Sequence, residues 1–434
     1  MVKTKVVILG AGVAGLSAAW HLQKNGIDCH VYEKEDEAGG LCRSRKINDF
    51  TFDYCGHLLH FKQAYAFDLI KRMLAGNLAE HQKSAWVHSF GLDTRYPFQA
   101  NLFGLPHSVV EECLLGFIEA QNSPEKESGK KRDFLSWIHA TFGRGIARHF
   151  MVPYNTKFWT IAPQQMTCEW FDGFIPVPTL KEIVEGTIEE SKRQYGYNAR
   201  FWYPRAGGIS EVPQAFARSL RQIHTGCLVT GIDLEKQEVS FSHGEKVAFE
   251  RLVSTLPLPE AAKLLSRVPP AVERAFSKLR WNSIFNLNLG FDGQESSRRH
   301  WIYYPQKDVC FFRAGFPHNF SSHLVPARKS SLYIEASYSP GKGIDKKSMI
   351  ARIKKDLKKV GLLPAENRVC LSSVNDIQYG YPLYDRNYNP ARGVIARYLL
   401  GKNMFLCGRY GSWRYMSMED AILDGKNTAE SLLL

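Results

Sequence analysis

The stretch VVILGAGVAGLSAAWHL (residues 6–22) indicates how the chain begins to fold. Its first four residues are apolar and largely β-branched, which is typical of a strand buried on both faces of a parallel sheet. A turn rich in glycine follows at once, and the residues after it have helical periodicity as far as Asn25-Gly26. The glycines of the turn are Gly10, Gly12 and Gly15. The pattern predicts a strand, a glycine turn and a helix in direct succession.

This arrangement of glycines is suited to binding the pyrophosphate of a dinucleotide. Gly10 allows a tight turn, Gly12 lets the backbone approach a pyrophosphate at the helix N-terminus, and Gly15 allows close packing of helix and strand. A second predicted strand, Cys29–Tyr32, leads to Glu33, whose carboxylate can accept a hydrogen bond from a ribose hydroxyl. An ordinary glycine-rich turn is the alternative, and the surrounding strand and helix disfavour it.

The residues after Glu33 indicate which dinucleotide is bound. Gly39 and Gly40 form a second glycine pair, which is followed by Leu41 and Arg43. This pattern resembles the extended fingerprint of flavoproteins more than that of nicotinamide dehydrogenases. We therefore expect FAD as the cofactor.

Composition argues against several classes of protein. The chain has 434 residues, 44% of them hydrophobic, and no apolar run long enough for a bilayer, so we expect a large core and neither a signal peptide nor a membrane span. Nine cysteines without a CxxC pair favour reduced thiols in the cytoplasm and no metal site. The charge of +13 is dispersed, and its densest clusters, at 128–132 and 354–359, indicate a solvated loop and a helix face, not a nucleic-acid site.

The pattern of elements changes several times along the chain. Residues 108–187 are mostly helical, residues 227–257 form short alternating strands, a further β-rich stretch covers 283–339, and 403–409 is again a buried strand. We therefore expect an α/β fold with a discontinuous Rossmann-like FAD-binding domain, a helical insertion and an antiparallel β-sheet substrate domain. The expected boundaries are 1–90, 191–270 and 396–434 for the FAD-binding domain, 91–190 for the helical domain and 271–395 for the sheet domain.

The C-terminal stretch CGRYGSWRYMSMEDAI (residues 407–422) is rich in arginine and aromatic residues. A strand ending at Cys407, a glycine and a helix beginning near Met418 would place a second helix N-terminus beside the cofactor. We expect this segment to close the flavin site near the isoalloxazine ring. A surface helix that only caps the domain is the alternative.

Five stretches resemble those of the UDP-galactopyranose mutase family and occur in the same order along nearly the whole chain. They are FDYCGHLLHF (52–61), RYPFQANL (95–102), YNTKFWTIAPQQMTCEW (154–170), WIYYPQKDVCFFRAGFPHNFS (301–321) and GRYGSWRYMSMEDAI (408–422). The resemblance implies a flavin-dependent mutase that interconverts the pyranose and furanose forms of a nucleotide-linked sugar, through attack of N5 of reduced FAD on the anomeric carbon. It also implies a substrate linked to uridine diphosphate.

By position in these motifs, the resemblance implies which residues contact the flavin. Besides Gly10, Gly12, Gly15 and Glu33, they are Gly39, Gly40, Leu41, Arg43, Gly56, His57, Gly408, Arg409, Met416 and Met418. His57 would lie against the flavin and help to hold its reduced state, and a histidine satisfied in a core turn is the alternative. Arg409 and Arg414 would steady flavin and substrate. The expected catalytic residues are His57, Arg313, Arg409 and Tyr415.

The resemblance likewise implies a binding site for the nucleotide sugar. Its residues are Tyr96, Phe98, Gln99, Asn155, Trp159, Tyr303, Arg313, Tyr381 and Tyr415. The first three would form the base pocket, with an aromatic face to stack on the base and an amide to bond its edge. Arg313 would bind the diphosphate through its planar guanidinium, together with Tyr381 and Tyr415. Trp159 could equally belong to the core.

Two positions depart from the pattern of the family. Phe174 stands where the family has a second diphosphate-binding arginine, and Phe320 where its eukaryotic branch has a phosphate-binding tyrosine. A phenyl ring has no hydrogen-bond donor, so either another basic residue such as Lys181 reaches the phosphates, or the leaving group is not an ordinary pyrophosphate.

Three alternatives to an ordinary mutase therefore stay open. The first is an FAD-dependent oxidoreductase that acts by hydride transfer, as amine-oxidase-like flavoproteins do. The second is a mutase relative with an atypical nucleotide sugar, and the third is a binding protein without catalytic activity. The sequence does not specify the sugar, the physiological reductant or the oligomeric state.

Overall fold

Two seven-stranded β-sheets form the framework of the molecule. The computed structural model describes residues 3–122, 133–171, 174–191, 193, 195–196, 199–294, 297–363 and 368–433. The strands are β1 (Lys3–Leu9), β2 (Cys29–Tyr32), β3 (Ser44–Ile47), β4 (Phe50–Asp53), β5 (Ala79–Gln82), β6 (Ala85–Ser89), β7 (Leu92–Arg95), β8 (Arg200–Tyr203), β9 (Ile223–His224), β10 (Val229–Asp233), β11 (Glu238–Phe241), β12 (Lys246–Ser254), β13 (Trp281–Asp292), β14 (Trp301–Tyr303), β15 (Arg313–Gly315), β16 (Lys329–Tyr338), β17 (Val369–Pro382) and β18 (Met404–Leu406). The α-helices are α1 (Val13–Lys24), α2 (Ala64–Met73), α3 (His107–Gln121), α4 (Phe134–Ile146), α5 (Val152–Trp159), α6 (Leu180–Ile188), α7 (Glu211–Ala217), α8 (Leu258–Leu264), α9 (Pro270–Ser277), α10 (Lys346–Lys359), α11 (Tyr388–Leu400), α12 (Gly408–Gly411) and α13 (Met418–Ser431).

The first sheet carries the glycine turn. Its strand order is β10-β11-β12-β1-β2-β9, and β18 pairs with the C-terminal half of β12. β1 runs parallel to both β2 and β12, and residues 6–9 are fully buried, as predicted for a strand covered on both faces. Because these parallel strands end at the same edge of the sheet, the residues that follow them meet there, and such an edge is where ligands bind in open α/β sheets.

Helix α1 packs closely on both its strand and the C-terminal helix α13. A Cβ on Gly15 would lie 2.1 Å from the carbonyl oxygen of Gly10, and a Cβ on Gly425 would lie 2.5 Å from the carbonyl oxygen of Ala14. Any larger residue at these two positions would force the elements apart. The close approach that the sequence predicted for Gly15 is therefore confirmed.

The second sheet has the order β17-β13-β16-β15-β14-β6-β7. Its pairs are antiparallel except for β6 and β14, which run parallel. The antiparallel sheet is thus confirmed, but residues 85–95 belong to it and cross the expected boundary at residue 90. These residues join the sheet because β6 pairs with β14, a strand more than 200 residues away in sequence. The expected domain boundaries stay predictions.

The predicted helical segment contains α3 to α6. Helices α3 and α4 include the two amphipathic stretches expected there, and they pack around aromatic residues such as Phe117, Trp137 and Phe142. The basic cluster at 354–359 forms the end of α10, as expected, whereas 128–132 lies outside the described residues. Within the part of the chain that the structure describes, no helix combines the length and the apolar character needed to cross a bilayer.

Candidate functional site

The turn between β1 and α1 has open space at Gly12. Gly10 has φ +99°, and a Cβ there would lie 2.2 Å from Oγ1 of Thr255, so the protein itself requires glycine at position 10. At Gly12, by contrast, the nearest atom that a Cβ would meet is Cα of Gly40 at 4.0 Å. Packing within the protein does not require glycine at position 12, so the space at the N-terminus of α1 fits a bound pyrophosphate.

The carboxylate of Glu33 lies beside this turn and is almost completely buried. Its Oε2 accepts a hydrogen bond from the backbone N–H of Ala11 at 2.8 Å, and its Oε1 accepts one from the N–H of Glu35 at 3.1 Å. These bonds hold the carboxylate at the end of β2, at the position from which a ribose hydroxyl can be bound.

The second glycine pair lies against the first. The N–H of Gly39 donates to the carbonyl oxygen of Ala11 at 2.8 Å, and a Cβ on Gly40 would lie 3.2 Å from Cα of Gly12. Arg43 donates from Nε to the carbonyl oxygen of Gly40 at 2.9 Å. Arg43 therefore stabilises this glycine-rich loop, while its predicted contact with the flavin stays a prediction.

The C-terminal segment returns to the first sheet, as predicted. β18 ends at Leu406, and α13 begins at Met418 with Ser417 as its N-cap. The N–H of Asp420 donates to Oγ of Ser417 at 3.1 Å, and the N–H of Ser417 donates to the Asp420 carboxylate at 2.8 Å. Gly408 has φ +77°, and a Cβ there would lie 2.5 Å from Cβ of Ala14. The segment therefore packs on the helix that begins at the pyrophosphate turn.

Arg409 lies inside a cage of tyrosines. Its Cζ is 4.5 Å from the ring centre of Tyr381, 5.0 Å from that of Tyr415 and 5.6 Å from that of Tyr410. Its Nη1 donates to the carbonyl oxygen of Met416 at 3.3 Å. Among the described residues no carboxylate pairs with this guanidinium, and its buried Nε has no acceptor. A partly buried cation whose buried Nε donor is unused is suited to an anionic ligand.

Arg313 is held by a buried carboxylate. Its Nε donates to Oε2 of Glu335 at 2.5 Å, and the side chains are 18% and 1% exposed, respectively. Oε1 of Glu335 accepts a hydrogen bond from the N–H of Gly56 at 2.9 Å. Glu335 therefore bridges Arg313 and the Gly56-His57 turn through hydrogen bonds to both. The sequence analysis missed Glu335, because its position opposite Arg313 depends on the pairing of β15 with β16.

The Gly56-His57 turn is closely packed. A Cβ on Gly56 would lie 2.3 Å from the hydroxyl oxygen of Tyr333, so only glycine fits there. Burial lowers the pKa of His57 to about 4, although the nearby Glu335 carboxylate acts in the opposite direction. His57 is therefore neutral near pH 7 and adds no charge beside the buried arginines.

The tyrosine rings around the two arginines also contact one another. The rings of Tyr381 and Tyr415 are stacked with centres 6.0 Å apart, and Tyr303 lies 5.1 Å from Tyr96. Tyr154, which the sequence analysis did not assign to the site, contacts Tyr303 edge-on at 5.4 Å. A signal for Tyr154 was available, since it is the first residue of a family-like motif. We call Arg313, Arg409, Tyr303, Tyr381 and Tyr415 the arginine–tyrosine cluster.

Four predicted substrate residues are buried instead of lying on an open surface. Phe98 is fully buried and stacks on Phe150 with ring centres 5.2 Å apart, and its place in a base pocket stays a prediction. Nε2 of Gln99 donates to the carbonyl oxygen of Pro176 at 2.7 Å. Asn155 and Trp159 are likewise buried, and the ring centre of Trp159 lies 5.7 Å from that of Tyr381. Helix packing brought these side chains inward, which their motif alone could not indicate.

The remaining candidates have different surroundings. The ring of Phe174 lies edge-on to that of Tyr415, with centres 5.0 Å apart, so position 174 is next to the cluster. Lys181 is 84% exposed and lies 3.7 Å from Glu185 on its own helix, so the structure gives no support to the alternative in which Lys181 reaches the phosphates. Phe320 is buried against Tyr203, with ring centres 5.4 Å apart, and Arg414 donates from Nη2 to Asp424 at 2.8 Å.

The glycine turn, the buried Glu33 and the returning C-terminal segment suggest a flavin-binding fold, and comparison with known proteins tests this. The family model for flavin-containing amine oxidoreductases matches residues 13–433. The chain belongs to this family. As an amine oxidoreductase family member it is an FAD-dependent enzyme, so the expected cofactor is confirmed.

Relatives of this amine oxidoreductase family member differ in their reactions. A zeta-carotene-forming phytoene desaturase of Myxococcus xanthus is 43% identical over 382 residues, which cover 76% of this chain and 71% of the relative. A crystal structure of reduced UDP-galactopyranose mutase superposes with a TM-score of 0.93 at 27% identity, covering 99% of this chain and 96% of that one. A putative protoporphyrinogen oxidase from Exiguobacterium sp. has a TM-score of 0.75 at 16% identity, over 99% of both chains, and shares the fold alone. The resemblance to the mutase family is therefore confirmed.

Proposed function

We propose that this protein is an FAD-dependent mutase that interconverts the pyranose and furanose forms of a sugar linked to a nucleoside diphosphate. The observation that carries the proposal is the arginine–tyrosine cluster, which brings two partly buried guanidinium groups together with several phenol rings. A similar overall structure in a UDP-galactopyranose mutase supports the proposal. The expected carrier is uridine diphosphate.

The charge balance of the cluster favours an anionic substrate. Arg313 has one carboxylate partner, Glu335, while no described carboxylate pairs with Arg409. Burial of a cation without a counter-charge costs roughly several kcal/mol of folding free energy, and an anion that enters the site removes this cost. A diphosphate would provide that negative charge. An apolar carotenoid would bring no negative charge to the cluster, so the cluster favours an anionic substrate over a carotenoid.

Each residue of the cluster can be given a task in the proposed reaction. Bound FAD, in its reduced form, supplies the nucleophilic nitrogen N5. Glu335 occupies Nε of Arg313, which leaves the terminal Nη groups to bind the oxygens of the departing diphosphate. Tyr381 and Tyr415 can donate hydroxyl hydrogens to the same oxygens. Neutral His57 leaves the positive charge of the site concentrated at the arginines.

The test is the redox dependence of turnover on nucleotide sugars. Protein reduced with dithionite is incubated with UDP-galactose and a panel of other nucleotide sugars, and the products are separated by chromatography. We expect a furanose product only after reduction, with no net oxidation of the sugar, because the flavin acts as a nucleophile and is regenerated. Oxidised protein is the control, and equal turnover in both redox states would contradict the proposal.

A second candidate is hydride transfer, which the 43% identity to a phytoene desaturase favours. In that case an oxidisable substrate would bleach the yellow oxidised flavin anaerobically, without dithionite. The compounds tested as substrates for hydride transfer are phytoene, dissolved in detergent, and a set of amines. Bleaching by any of them, together with no product from the nucleotide sugars, would establish an oxidoreductase instead of a mutase.

A further inference from the structure

The loop between β14 and β15 connects two members of the arginine–tyrosine cluster. Tyr303 is the last residue of β14 and Arg313 is the first residue of β15, and the two are cross-strand partners. At the base of the loop, the N–H of Tyr304 donates to the carbonyl oxygen of Phe312 at 2.9 Å. A displacement of this loop, residues 304–312, would therefore move both cluster residues.

Lys157 of helix α5 binds this loop through its ammonium group. Its Nζ donates to the carbonyl oxygens of Tyr304 at 2.7 Å, Gln306 at 2.6 Å and Phe311 at 3.2 Å. An ammonium group has three hydrogens, so these bonds use all of them. Burial lowers the pKa of Lys157 to about 8, although nearby acidic groups act in the opposite direction, so the group is charged near pH 7.

The face of α5 that carries Lys157 also packs on the cluster. Tyr154 and Phe158 lie three residues before and one residue after Lys157, so helical geometry brings the three side chains to neighbouring positions. The ring centre of Tyr154 is 5.4 Å from that of Tyr303, and the ring centre of Phe158 is 4.6 Å from that of Tyr381. Helix α5 therefore contacts two tyrosines of the cluster that belong to different strands.

The end of α5 is fixed to the strand of Tyr381 by a buried amide. Nδ2 of Asn282 donates to the carbonyl oxygen of Phe158 at 2.7 Å, and its Oδ1 accepts a hydrogen bond from the N–H of Tyr381 at 2.9 Å. Asn282 is fully buried. Because α5 is fixed at Tyr381, the bonds from Lys157 fix the loop relative to Tyr381 as well.

We propose that Lys157 is a positioning residue of the diphosphate site, whose ammonium holds the loop against α5 and thereby fixes Tyr303 and Arg313 relative to Tyr381. This inference rests on the proposed function. All three hydrogens of the ammonium go to backbone carbonyls, so Lys157 acts on the substrate through the geometry of these residues. That geometry matters because a planar guanidinium binds phosphate oxygens best in one orientation.

The experiment measures UDP binding to the full-length, FAD-loaded protein by calorimetry. We expect Lys157→Met, which keeps an unbranched stem but has no donor, to weaken UDP binding about 10-fold, the change that corresponds to about 1.4 kcal/mol. Lys157→Arg should retain affinity within about threefold, because a guanidinium can donate to several carbonyl oxygens at once. Binding of uridine, which has no phosphate, should stay within about twofold of the wild type in both variants, since Arg313 is expected to contact the phosphates.

Arg251→Met is the matched control. Arg251 is also a half-buried cation that donates to a backbone carbonyl, with Nη1 2.5 Å from the carbonyl oxygen of Leu432. Leu432 lies at the opposite end of α13 from Tyr415. We expect this variant to lose stability in urea as Lys157→Met does, but to bind UDP as the wild type does. If both variants weaken UDP binding equally, the effect is one of general stability, and the proposal is wrong.

Two further measurements keep the test decisive. Flavin absorbance checks that each variant is folded and loaded, and if Lys157→Met does not retain FAD, Lys157→Gln replaces it, because its amide keeps two donor hydrogens. An equal loss of UDP affinity in Lys157→Arg and Lys157→Met would contradict the role of the cation–carbonyl bonds.

The inference and the proposed function fail in different ways. Unchanged UDP affinity in Lys157→Met, with tight binding by the wild type, would overturn this inference and leave the proposed function intact. No binding of UDP by the reduced wild type would instead overturn the proposed function, and this inference with it.

Discussion

At the scale of single residues, Gly12 differs from the other glycines of the turn. Gly10 and Gly15 are required by contacts within the protein, whereas a side chain at Gly12 would enter open space at the helix N-terminus. Gly12 has φ −75° and ψ 175°, which any residue can adopt. A bound ligand, and not packing within the protein, therefore accounts for glycine at position 12. We expect its replacement to affect cofactor binding without affecting folding.

We expect Gly12→Leu to fold normally and to lose bound FAD, because the side chain would occupy the space of the pyrophosphate. Flavin absorbance of the purified protein measures the loss, and far-UV circular dichroism checks the fold. The matched control is Gly393→Leu, at an exposed position of helix α11, where a Cβ would meet nothing within 4 Å. Retention of stoichiometric FAD by Gly12→Leu would show that the pyrophosphate lies elsewhere.

At the scale of secondary-structure elements, the second sheet positions the charged groups of the site. Arg313 on β15 and Glu335 on β16 are cross-strand partners, and Glu335 also accepts from the Gly56 turn. The sequence contained both residues and both strand patterns. Their partnership could not be predicted, since the register of two strands depends on the packing of the whole sheet.

We expect Glu335→Gln to destabilise the protein by about 3 kcal/mol, because it leaves the Arg313 guanidinium buried without a counter-charge. Urea unfolding of the FAD-loaded protein measures the change. Asp292→Asn is the matched control, because Asp292 and Lys329 form a cross-strand pair of the same sheet at 2.9 Å, but on the surface. Little change is expected there. If the two variants lose the same amount of stability, burial of the Arg313–Glu335 pair is not the reason for the effect.

At the scale of the whole molecule, buried neutral histidines make the fold sensitive to acid. Burial, assisted by the nearby His81, lowers the pKa of His300 to about 4. Nδ1 of His300 accepts a hydrogen bond from the N–H of Ser84 at 3.0 Å, which connects β14 to the segment before β6. Protonation of Nδ1 would remove this acceptor between two parts of the second sheet.

We expect stability to fall as the pH decreases from about 6.5 toward 4. The unfolded chain binds protons at its histidines below pH 6.5, whereas folded His300 stays neutral down to about pH 4, so acid favours the unfolded state. His300→Gln, which keeps an acceptor, should show a smaller loss of stability between pH 7 and 5 in urea titrations. The exposed His107→Gln is the control, and an identical pH dependence in all three proteins would contradict this origin.

Local sequence determined the parts of this protein that depend on neighbouring residues. The strand–glycine–helix unit, Glu33 at the end of the second strand and the helix beginning at Met418 were predictable because turns, caps and helical periodicity involve residues close together in the chain. The cofactor followed from the same local pattern.

Only the tertiary structure decided which distant residues share a site. It buried Phe98 and Trp159, left the Lys181 side chain exposed beside Glu185, and paired Glu335 with Arg313. These outcomes depend on strand register and on helix packing across hundreds of residues, and the energy of each contact exists only when the whole core is assembled. No local pattern in the chain encodes them.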